Sequence, residues 1–412
     1  MHAIPKPFYN EIAHHFIESK IKSKQDLQNL KIKLAEKYKL TIIPSNSMIL
    51  KNLPLELKER YIEILRVKST RTLSGVAVIA IMTSPEKCPH GRCLYCPGGL
   101  DSNTPQSYTG HEPAALRAKQ HNYDPYEQVM TRLRQYKETG HKTDKIDLII
   151  MGGTFTRRTR DYQINFVKRA YEALNAPSTL YSASCTLEDI QRVNETAENR
   201  VVGLTIETRP DCFNDDDARF ALSLGTTRVE LGVQTPDDEV LSKLSRGHGV
   251  NEIIEATKRI KDFGFKLCYH IMPGLPFMTP DKDIANFRKL FESSDFRPDM
   301  LKIYPCLVTE DTEIYKWWKN GDYIPYDTEH AVEVIAKMKT YIPSWVRIQR
   351  IQRDIPAKLI VAGVKVGNLR ELIHEKMRMQ NIRCRCIRCR EIGRVRNTKY
   401  EIRDTKYEIR DT

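Results

Sequence analysis

Short apolar runs alternate with longer amphipathic segments through most of this 412-residue chain. Six runs of β-branched and other apolar residues have the length of buried strands: 76–82, 145–153, 200–207, 227–234, 265–273 and 300–305. The segments between them place apolar residues at helical spacing. Continuously apolar strands separated by helices predict a parallel sheet covered by helices. Periodicity alone does not separate a doubly wound sheet from a barrel.

Polar or glycine-rich sequences follow nearly every apolar run. They are MTSPEKCPHGRCLYC, GGTF, ETRP, GVQT and MPGLP. Both α/β architectures place their chemistry at the carboxyl ends of parallel strands. These sequences are therefore predicted to meet at one site.

The two ends of the chain carry most of its positive charge. The net charge is +13, and the excess of Lys and Arg lies in residues 1–75 and 383–412. Residues 1–75 have the spacing of several short helices, interrupted at PSNS and at Pro54. A neutral middle with basic ends suggests surfaces that bind a polyanion, and a nucleic acid is favoured over a membrane. The alternative is that these lysine-rich helices are simply exposed to solvent.

No apolar stretch approaches the length needed to cross a bilayer, and the first 30 residues lack the features of a signal peptide. We therefore expect a cytoplasmic protein without a membrane partner. In a reducing compartment, clustered cysteines indicate metal or redox sites before disulfides. Six of the ten cysteines form two triplets, and we expect the others to be buried as small apolar residues; these are Cys185, Cys212, Cys268 and Cys306.

The first triplet is Cys88-x4-Cys93-x2-Cys96. Three thiolates on one loop can hold a [4Fe–4S] cluster and leave one iron open for another ligand. A zinc site completed by His90 fits the spacing about equally well. The glycine-rich strand ends that follow favour the cluster, because GGTF and MPGLP leave backbone groups accessible to a polar ligand.

Many phrases of the sequence resemble the radical S-adenosylmethionine (SAM) superfamily, and within it the Elongator catalytic-subunit family of tRNA wobble-uridine carboxymethyl synthases. They include SPEKCPHGRCLYCPGG, TPQSYTGHEPAALRA, LIIMGGTF, LTIETRPD, RVELGVQT, HIMPGLP, RIQRDIP and CRCIRCREIG. The resemblance extends from about residue 76 to residue 393. It implies an incomplete (β/α)6 barrel, and the x4-x2 cysteine spacing agrees with this family rather than with the commoner x3-x2 spacing.

The resemblance also implies site residues. Cys88, Cys93 and Cys96 would bind the cluster, whose open iron chelates SAM, and no further catalytic residue is assigned. Lys145 matches the position at which the family contacts acetyl-CoA. SAM would be held by strand-end residues, namely Gly152, Gly153, Thr154, Glu207, Gln234, His270, Pro273 and Gly274.

The implied reaction uses SAM, acetyl-CoA and tRNA. Reductive cleavage of SAM gives a 5′-deoxyadenosyl radical, which removes hydrogen from the methyl group of acetyl-CoA. The carbon radical adds to C5 of the wobble uridine, and hydrolysis of the thioester leaves a carboxymethyl group.

The second triplet is Cys384-x-Cys386-x2-Cys389. Its close spacing predicts a structural zinc site, with His374 as a candidate fourth ligand. Three free thiols on a basic loop are the alternative.

Basic residues near aromatic side chains indicate three possible contacts with the tRNA anticodon region. One is the N-terminal helical region, one is RRTR at 157–160, and one is WVRIQRIQRD at 345–354. The candidate tRNA contacts are Lys22, Lys24, Lys31, Lys33, Arg157, Arg158, Arg347 and Arg350.

We expect four segments: a basic helical tRNA-binding region (1–75), the barrel (76–345), a zinc-binding linker (346–396) and a disordered tail (397–412). TKYEIRD occurs twice at 398–411, where the family continues into an acetyltransferase domain. The sequence thus predicts a radical SAM enzyme of this type that is either truncated or complemented by a separate acetyltransferase chain. The alternatives are a noncatalytic tRNA-binding remnant and a radical SAM enzyme with another substrate.

Overall fold

The computed structural model describes residues 4–176 and 185–392. The repeated TKYEIRD tail lies outside these residues. Five short helices come first and share an apolar core that includes Phe8, Ile12, Phe16 and Leu27. They are α1 (Lys6–Ile17), α2 (Lys24–Lys37), α3 (Asn46–Asn52), α4 (Leu55–Arg60) and α5 (Ile62–Leu65). Ser23 begins α2 with a capping box, since its hydroxyl accepts from the amide of Asp26.

Seven strands follow within the described residues. They are β1 (Ala77–Met82), β2 (Lys145–Met151), β3 (Arg200–Thr208), β4 (Arg228–Gln234), β5 (Lys266–Ile271), β6 (Met300–Ile303) and β7 (Arg347–Ile351). Every neighbouring pair is parallel, and the strands lie in the sheet in chain order. A doubly wound sheet would reverse its order at a switch point. The structure therefore selects the barrel type.

Helices cover the outer face of this sheet and surround its site. They are α6 (Pro113–Gln120), α7 (Pro125–Glu138), α8 (Arg160–Asn175), α9 (Leu187–Asn194), α10 (Asp215–Ser223), α11 (Asp238–Lys243), α12 (Val250–Asp262), α13 (Pro280–Glu292), α14 (Glu313–Asn320), α15 (Thr328–Thr340), α16 (Leu369–Met379) and α17 (Ile387–Arg390). Prolines at the first helical position start α6, α7 and α13, where a missing N–H costs nothing.

Alternate residues of each strand face opposite sides, as the strand period of two requires. On the outer side, residues such as Ile79, Leu148 and Ile206 are fully buried in the main apolar core. On the inner side, residues of all seven strands line one cavity, among them Val78 and Gln349 from the first and last strands. A sheet whose inner face surrounds one cavity is curled. The predicted partial barrel is thus confirmed.

The seventh strand adds to the six that the sequence predicts. Arg347–Ile351 pairs with β6, so the sheet extends two to six residues beyond the boundary placed at residue 345. In RIQRI only Ile348 and Ile351 are apolar, and both are buried, whereas the three polar side chains line the cavity. The apolar signal used for the other strands is halved here.

Strand β1 forms one edge of the sheet, and no pairing joins it to β7 in the described ranges. Side chains from α6 and α7 satisfy its free edge instead. Arg117 donates to the carbonyl of Ala80, Gln128 bonds both backbone groups of Met82, and the Tyr136 hydroxyl donates to the carbonyl of Val78. Covered edges do not recruit further strands.

No helix in residues 4–176 or 185–392 is both long and apolar enough to cross a membrane.

Candidate active site

A cavity of about 1710 Å³ runs along the inner face of the barrel. The loop after β1 reaches its mouth at the carboxyl ends of the strands, and it brings Cys88, Cys93 and Cys96 to the cavity wall. Cys93 and Cys96 are buried, whereas Cys88 is half-buried. Residues of the strand ends GGTF, ETRP and GVQT line the same cavity, so these strand ends converge on the first cysteine triplet.

His90 lies between two of these thiols. Its Nδ1 is 3.1 Å from the sulfur of Cys88, and its Nε2 is 3.0 Å from the sulfur of Cys93. Burial, together with Arg209 and Arg246, lowers the pKa of His90 to about 4, so the ring is neutral. Two ring nitrogens facing two thiols is not the arrangement of a shared zinc ligand, which offers one nitrogen to the metal.

The three sulfurs are also spread too far for one ion. Among the described residues, the cysteines whose sulfurs lie within 4.8 Å of one another are Cys384, Cys386 and Cys389. Cys88, Cys93 and Cys96 do not form such a group. A [4Fe–4S] cluster binds each thiolate to a different iron, so it needs a wider set of sulfurs than a single zinc ion does.

A buried cation supports the same conclusion. Arg246 is 7% exposed, donates from Nη1 to the Cys93 sulfur at 3.4 Å, and has no carboxylate within 4.0 Å in the described part of the chain. Burial opposes its charge, but Tyr95 and Cys93 raise the pKa of Arg246. A buried guanidinium needs an anion. Three thiolates carrying a cluster supply one, so the residues present fit this group.

The glycine-rich end of β2 packs directly against the end of β1. Gly152 has φ +127°, and a Cβ there would lie 2.0 Å from the Thr83 hydroxyl. Thr154 follows, and its hydroxyl is 3.6 Å from the sulfur of Cys88. Gly152, Gly153 and Thr154 all line the cavity beside the cysteine loop. Their backbone is thus accessible where a ligand of the cluster would lie.

A network of buried charges lies deeper in the barrel. Lys302 of β6 contacts Glu230 of β4, and its ammonium is 3.5 Å from Glu207 of β3. The Tyr108 hydroxyl donates to Glu207 at 2.7 Å, and His270 lies 2.8 Å from Glu230. Burial would raise the pKa of Glu230, but the charge of Lys302 and the hydrogen bond from His270 lower it. Glu207 and His270 thus line the cavity with hydrogen-bonding groups already oriented.

The strand ends of β4 and β5 differ in where they point. Gln234 has φ +69° and lines the cavity. Pro273 and Gly274 are buried but do not line it; Gly274 borders a separate cavity of about 320 Å³. Gly274 instead donates its amide to the Asp283 carboxyl at 2.8 Å, and the Tyr326 hydroxyl donates to the same oxygen. The MPGLP loop is therefore fixed by Asp283.

Asp283 makes stability depend on pH. Burial raises the pKa of Asp283 to about 6, above its ordinary value of 3.8. A raised folded-state pKa gives stability that is present below pH 4 and lost as the pH rises to 6. We expect Asp283→Asn to remove this loss, so that the variant gains up to about 3 kcal/mol on the wild type between pH 4 and 7.

Denaturant unfolding at pH 4.5, 5.5 and 7 measures that difference. Asp281→Asn is the matched control, because Asp281 is an exposed residue of the same helix. A difference between Asp283→Asn and wild type that does not change with pH would contradict the assignment.

The second cysteine triplet forms a compact group beside α15 and α16. The sulfurs of Cys384, Cys386 and Cys389 lie within 4.8 Å of one another, and His374 Nε2 is 3.5 Å from the Cys389 sulfur. Hydrogen bonds from Cys384 and Cys389 lower the pKa of Cys386. Burial lowers the pKa of Lys339, whose buried ammonium faces these thiols and has no hydrogen-bond partner among the described residues. This donor set fits zinc with thiolates, whose negative charge would stabilise Lys339.

Several predicted residues lie away from the site. Lys145 is exposed at the amino end of β2, whereas the cysteine loop is at the carboxyl end, about 20 Å along the strand. Lys31 is 6% exposed and donates to Gln28 and Asn46, so the prediction that it faces RNA is corrected by its burial. Its amphipathic helix does not reveal that this lysine faces inward.

The other candidate tRNA contacts divide into two groups. Lys22, Lys24, Lys33 and Arg157 are exposed. Three arginines are already bound to carboxylates: Arg347 to Glu391, Arg350 to Asp354, and Arg158 to Glu86.

Sequence reasoning did not find Arg246, Glu230 or Lys302. A signal existed for the last two, since VELGV and MLKIYP each contain a charged residue within an apolar strand. Such a residue on a buried strand needs a buried partner. Arg246 has no local signal, because its partner Cys93 is 153 residues away in the chain.

Family comparisons divide the chain into three parts. Residues 6–73 match the ELP3 N-terminal domain, 82–290 the radical SAM superfamily, and 298–379 the radical SAM C-terminal domain. The first match coincides with the helical region α1–α5, and the second contains both the first cysteine triplet and the glycine-rich strand ends.

Individual relatives are similar over nearly the whole chain. A tRNA uridine(34) acetyltransferase of Methanocaldococcus infernus is 50% identical over 388 residues, covering 93% of this chain and 72% of the relative. Elongator complex protein 3 of Schizosaccharomyces pombe is 41% identical over 394 residues, with coverage of 93% and 72%.

A solved structure supports the same relationship. The archaeal Methanocaldococcus infernus Elp3 lacking residues 1–46 aligns with a TM-score of 0.66 and 45% identity. The alignment covers 76% of this chain and 65% of that one. With this fold, these thiols and these identities, the chain belongs to the radical SAM superfamily and, within it, to the family of Elongator complex protein 3 and the tRNA uridine(34) acetyltransferases.

Proposed function

We propose that this chain is a radical SAM enzyme that modifies the wobble uridine of tRNA, forming 5-carboxymethyluridine from acetyl-CoA and SAM. The observation that carries the proposal is the convergence of Cys88, Cys93 and Cys96 with the Gly152–Gly153 strand end on one cavity. Relatives that cover 93% of the chain are named for tRNA uridine(34), and this supports the choice of substrate.

Cys88, Cys93 and Cys96 would hold a [4Fe–4S] cluster, and the strand-end residues would hold SAM. When bound, the cluster and SAM supply a carbon-centred radical. The chain's own contribution is to orient the ligands and exclude water. Glu207 is held by Tyr108 and Lys302, so its carboxylate is fixed before SAM arrives. Gln234 and His270 line the same cavity and complete the proposed SAM site.

The RNA would contact exposed basic residues of the N-terminal helical region and of the loop after β2. Lys22, Lys24 and Lys33 lie on or next to the N-terminal helix α2, and Arg157 follows the glycine-rich end of β2. Arg158 comes next, but its side chain is largely covered and contacts Glu86. Lys145, at the other end of β2, is the proposed acetyl-CoA contact. Each phosphate that is neutralised adds about one unit to the salt dependence of binding.

Anaerobic reconstitution with iron and sulfide tests the proposal. The loaded chain is incubated with SAM, a reductant and tRNA, with and without acetyl-CoA. We expect 5′-deoxyadenosine from SAM, and mass analysis of the tRNA should show carboxymethylated wobble uridine that depends on acetyl-CoA. A loaded cluster that never cleaves SAM would favour a noncatalytic tRNA-binding protein. If tRNA does not accelerate the cleavage of SAM and is not itself modified, the enzyme has another substrate.

We also propose that Cys384, Cys386 and Cys389 bind a structural zinc ion, with His374 as the candidate fourth ligand. We expect Cys386→Ala to lose about one zinc per chain and to unfold at lower temperature, because three of the four ligands of a structural site come from this loop. The iron content of Cys386→Ala should remain unchanged. Cys93→Ala should show the opposite result, a loss of iron with an unchanged zinc content. Elemental analysis of both variants decides the assignment, and an unaltered zinc content in Cys386→Ala would exclude it.

A further inference from the structure

Three arginines lie together on the side of the large cavity formed by the free edge of β1. Arg71 comes from the 3-10 turn Ser69–Thr72, Arg117 from α6 and Arg132 from α7. All three line the cavity that also contains the cysteine triplet. None of them belongs to the site residues described above.

These arginines have no acidic partners, although Arg117 is buried, Arg132 is half-buried and Arg71 is exposed. No carboxylate lies within 4.0 Å of any of the three in residues 4–176 and 185–392, whereas Arg347 and Arg350 on the β7 side are paired with Glu391 and Asp354. Arg132 stacks on the ring of Tyr136 at 4.1 Å and donates to the Gln135 side chain, and both contacts leave its charge uncompensated.

Arg117 is the most deeply placed of the three. It is 7% exposed, and its Nη2 donates to the carbonyl of Ala80 at 2.6 Å. Its Nε is buried without a hydrogen-bond partner in the described residues. Capping one carbonyl does not require a cation, since the neutral Gln128 bonds the same edge at Met82. The positive charge of Arg117 therefore has no structural use at this edge.

The three charges also act against one another. Burial and the charge of Arg132 lower the pKa of Arg117 to about 10. The same two causes lower the pKa of Arg71. Holding like charges close together beside a buried guanidinium costs free energy, and an anionic ligand would offset that cost.

We propose that Arg71, Arg117 and Arg132 form a phosphate-binding site along the free edge of β1. Guanidinium groups present forked donors that match phosphate oxygens, and several converging on one anion are typical of phosphate recognition. The identity of the ligand rests on the proposed function, whose substrates carry phosphate in two forms, the RNA backbone and the pyrophosphate of CoA. Both forms share the chemistry that this site recognises.

Equilibrium binding in the absence of SAM tests the site. The probes are inorganic pyrophosphate, CoA and a single-stranded RNA of anticodon-loop length, each titrated at several salt concentrations. We expect Arg132→Gln and Arg71→Gln each to weaken binding of at least one probe about ten-fold, the factor for losing one charge-assisted hydrogen bond. If the probe is RNA, the salt slope should fall by about one.

Arg134→Gln is the matched control, because Arg134 is an exposed residue of α7 and its loss changes the net charge equally. Arg117→Gln is measured beside Arg117→Lys, which keeps the charge, and Arg71→Gln and Arg132→Gln decide the question should the Arg117 variants not fold. Weaker binding of RNA alone assigns the site to the backbone of RNA. Weaker binding of CoA and pyrophosphate assigns it to CoA.

The proposal is overturned if the wild type binds none of the probes, or if all the arginine variants bind like Arg134→Gln. This outcome is separate from the fate of the proposed function. A chain that cleaves SAM but shows no arginine-dependent phosphate binding refutes the site alone, and a chain that binds phosphate without ever cleaving SAM refutes the enzymatic function alone.

Discussion

Replacing Cys93 with alanine should abolish iron binding and the cleavage of SAM. Cys93 is buried, its sulfur contacts both His90 and Arg246, and it is the central member of the triplet. Mutating a residue that only hydrogen-bonds to a metal ligand already lowers the affinity for the metal roughly 10- to 100-fold. We expect the loss of one of three ligands to exceed that range, so that reconstituted Cys93→Ala lacks the visible absorbance and iron content of the wild type.

Two controls make the result specific. Cys306→Ala removes a cysteine of comparable burial from the same apolar cluster and should keep its iron. His90→Ala should also keep most of it, because the neutral imidazole lies between thiols without being a required ligand. Loss of iron in His90→Ala equal to that in Cys93→Ala would instead make His90 a fourth ligand. Retention of iron by Cys93→Ala would exclude the cluster from this loop.

Much of the barrel could be predicted because its strands are buried on the helix side. Runs such as 145–151 and 227–234 are apolar enough to be recognised by length and composition alone. The seventh strand could not, since RIQRI places Arg347 and Gln349 on the cavity side and so looks like a basic surface segment. A strand facing a polar cavity loses half of its apolar residues, and with them the signal.

Some features of the site can be recognised from residues close together in the sequence, whereas others depend on contacts between residues far apart in the chain. The cysteine spacing and the double glycine are local, and they place the cluster loop beside the end of β2. The ion pair between Glu230 and Lys302 joins strands that are not neighbours in the sheet. Such contacts depend on how strongly the sheet curls, which periodicity does not report. Arg246 and the three arginines along β1 belong to this second class.

Gly152→Ala should strongly destabilise the proposed SAM side of the cavity while leaving every proposed cluster ligand in place. Its φ of +127° is strained for any L-residue, and the added Cβ would lie 2.0 Å from the Thr83 hydroxyl and 3.2 Å from the Thr83 amide nitrogen. That amide donates to the carbonyl of Met151, so the overlap acts on the bond that joins the ends of β1 and β2. The two ends must separate to admit a methyl group.

Gly153→Ala is the matched comparison. Gly153 also has a positive φ, +98°, but a Cβ there meets only the Gln106 carbonyl at 3.6 Å, an ordinary contact. Both variants suffer backbone strain of about 1–3 kcal/mol. Gly152→Ala alone adds overpacking of about 1–3 kcal/mol. Thermal unfolding should therefore rank the variants as wild type, Gly153→Ala and Gly152→Ala, in order of falling stability.

Thr83→Ala in the Gly152→Ala background separates steric overlap from backbone strain. It removes the hydroxyl at 2.0 Å but leaves the Thr83 backbone nitrogen at 3.2 Å and the positive φ unchanged. We expect partial recovery of stability and of SAM binding, measured by equilibrium titration, to about the level of Gly153→Ala. If Gly152→Ala and Gly153→Ala lose equal stability, the ends of β1 and β2 can move apart at little cost in free energy. In that case the close packing of β1 against β2 would not be what shapes the SAM side of the cavity.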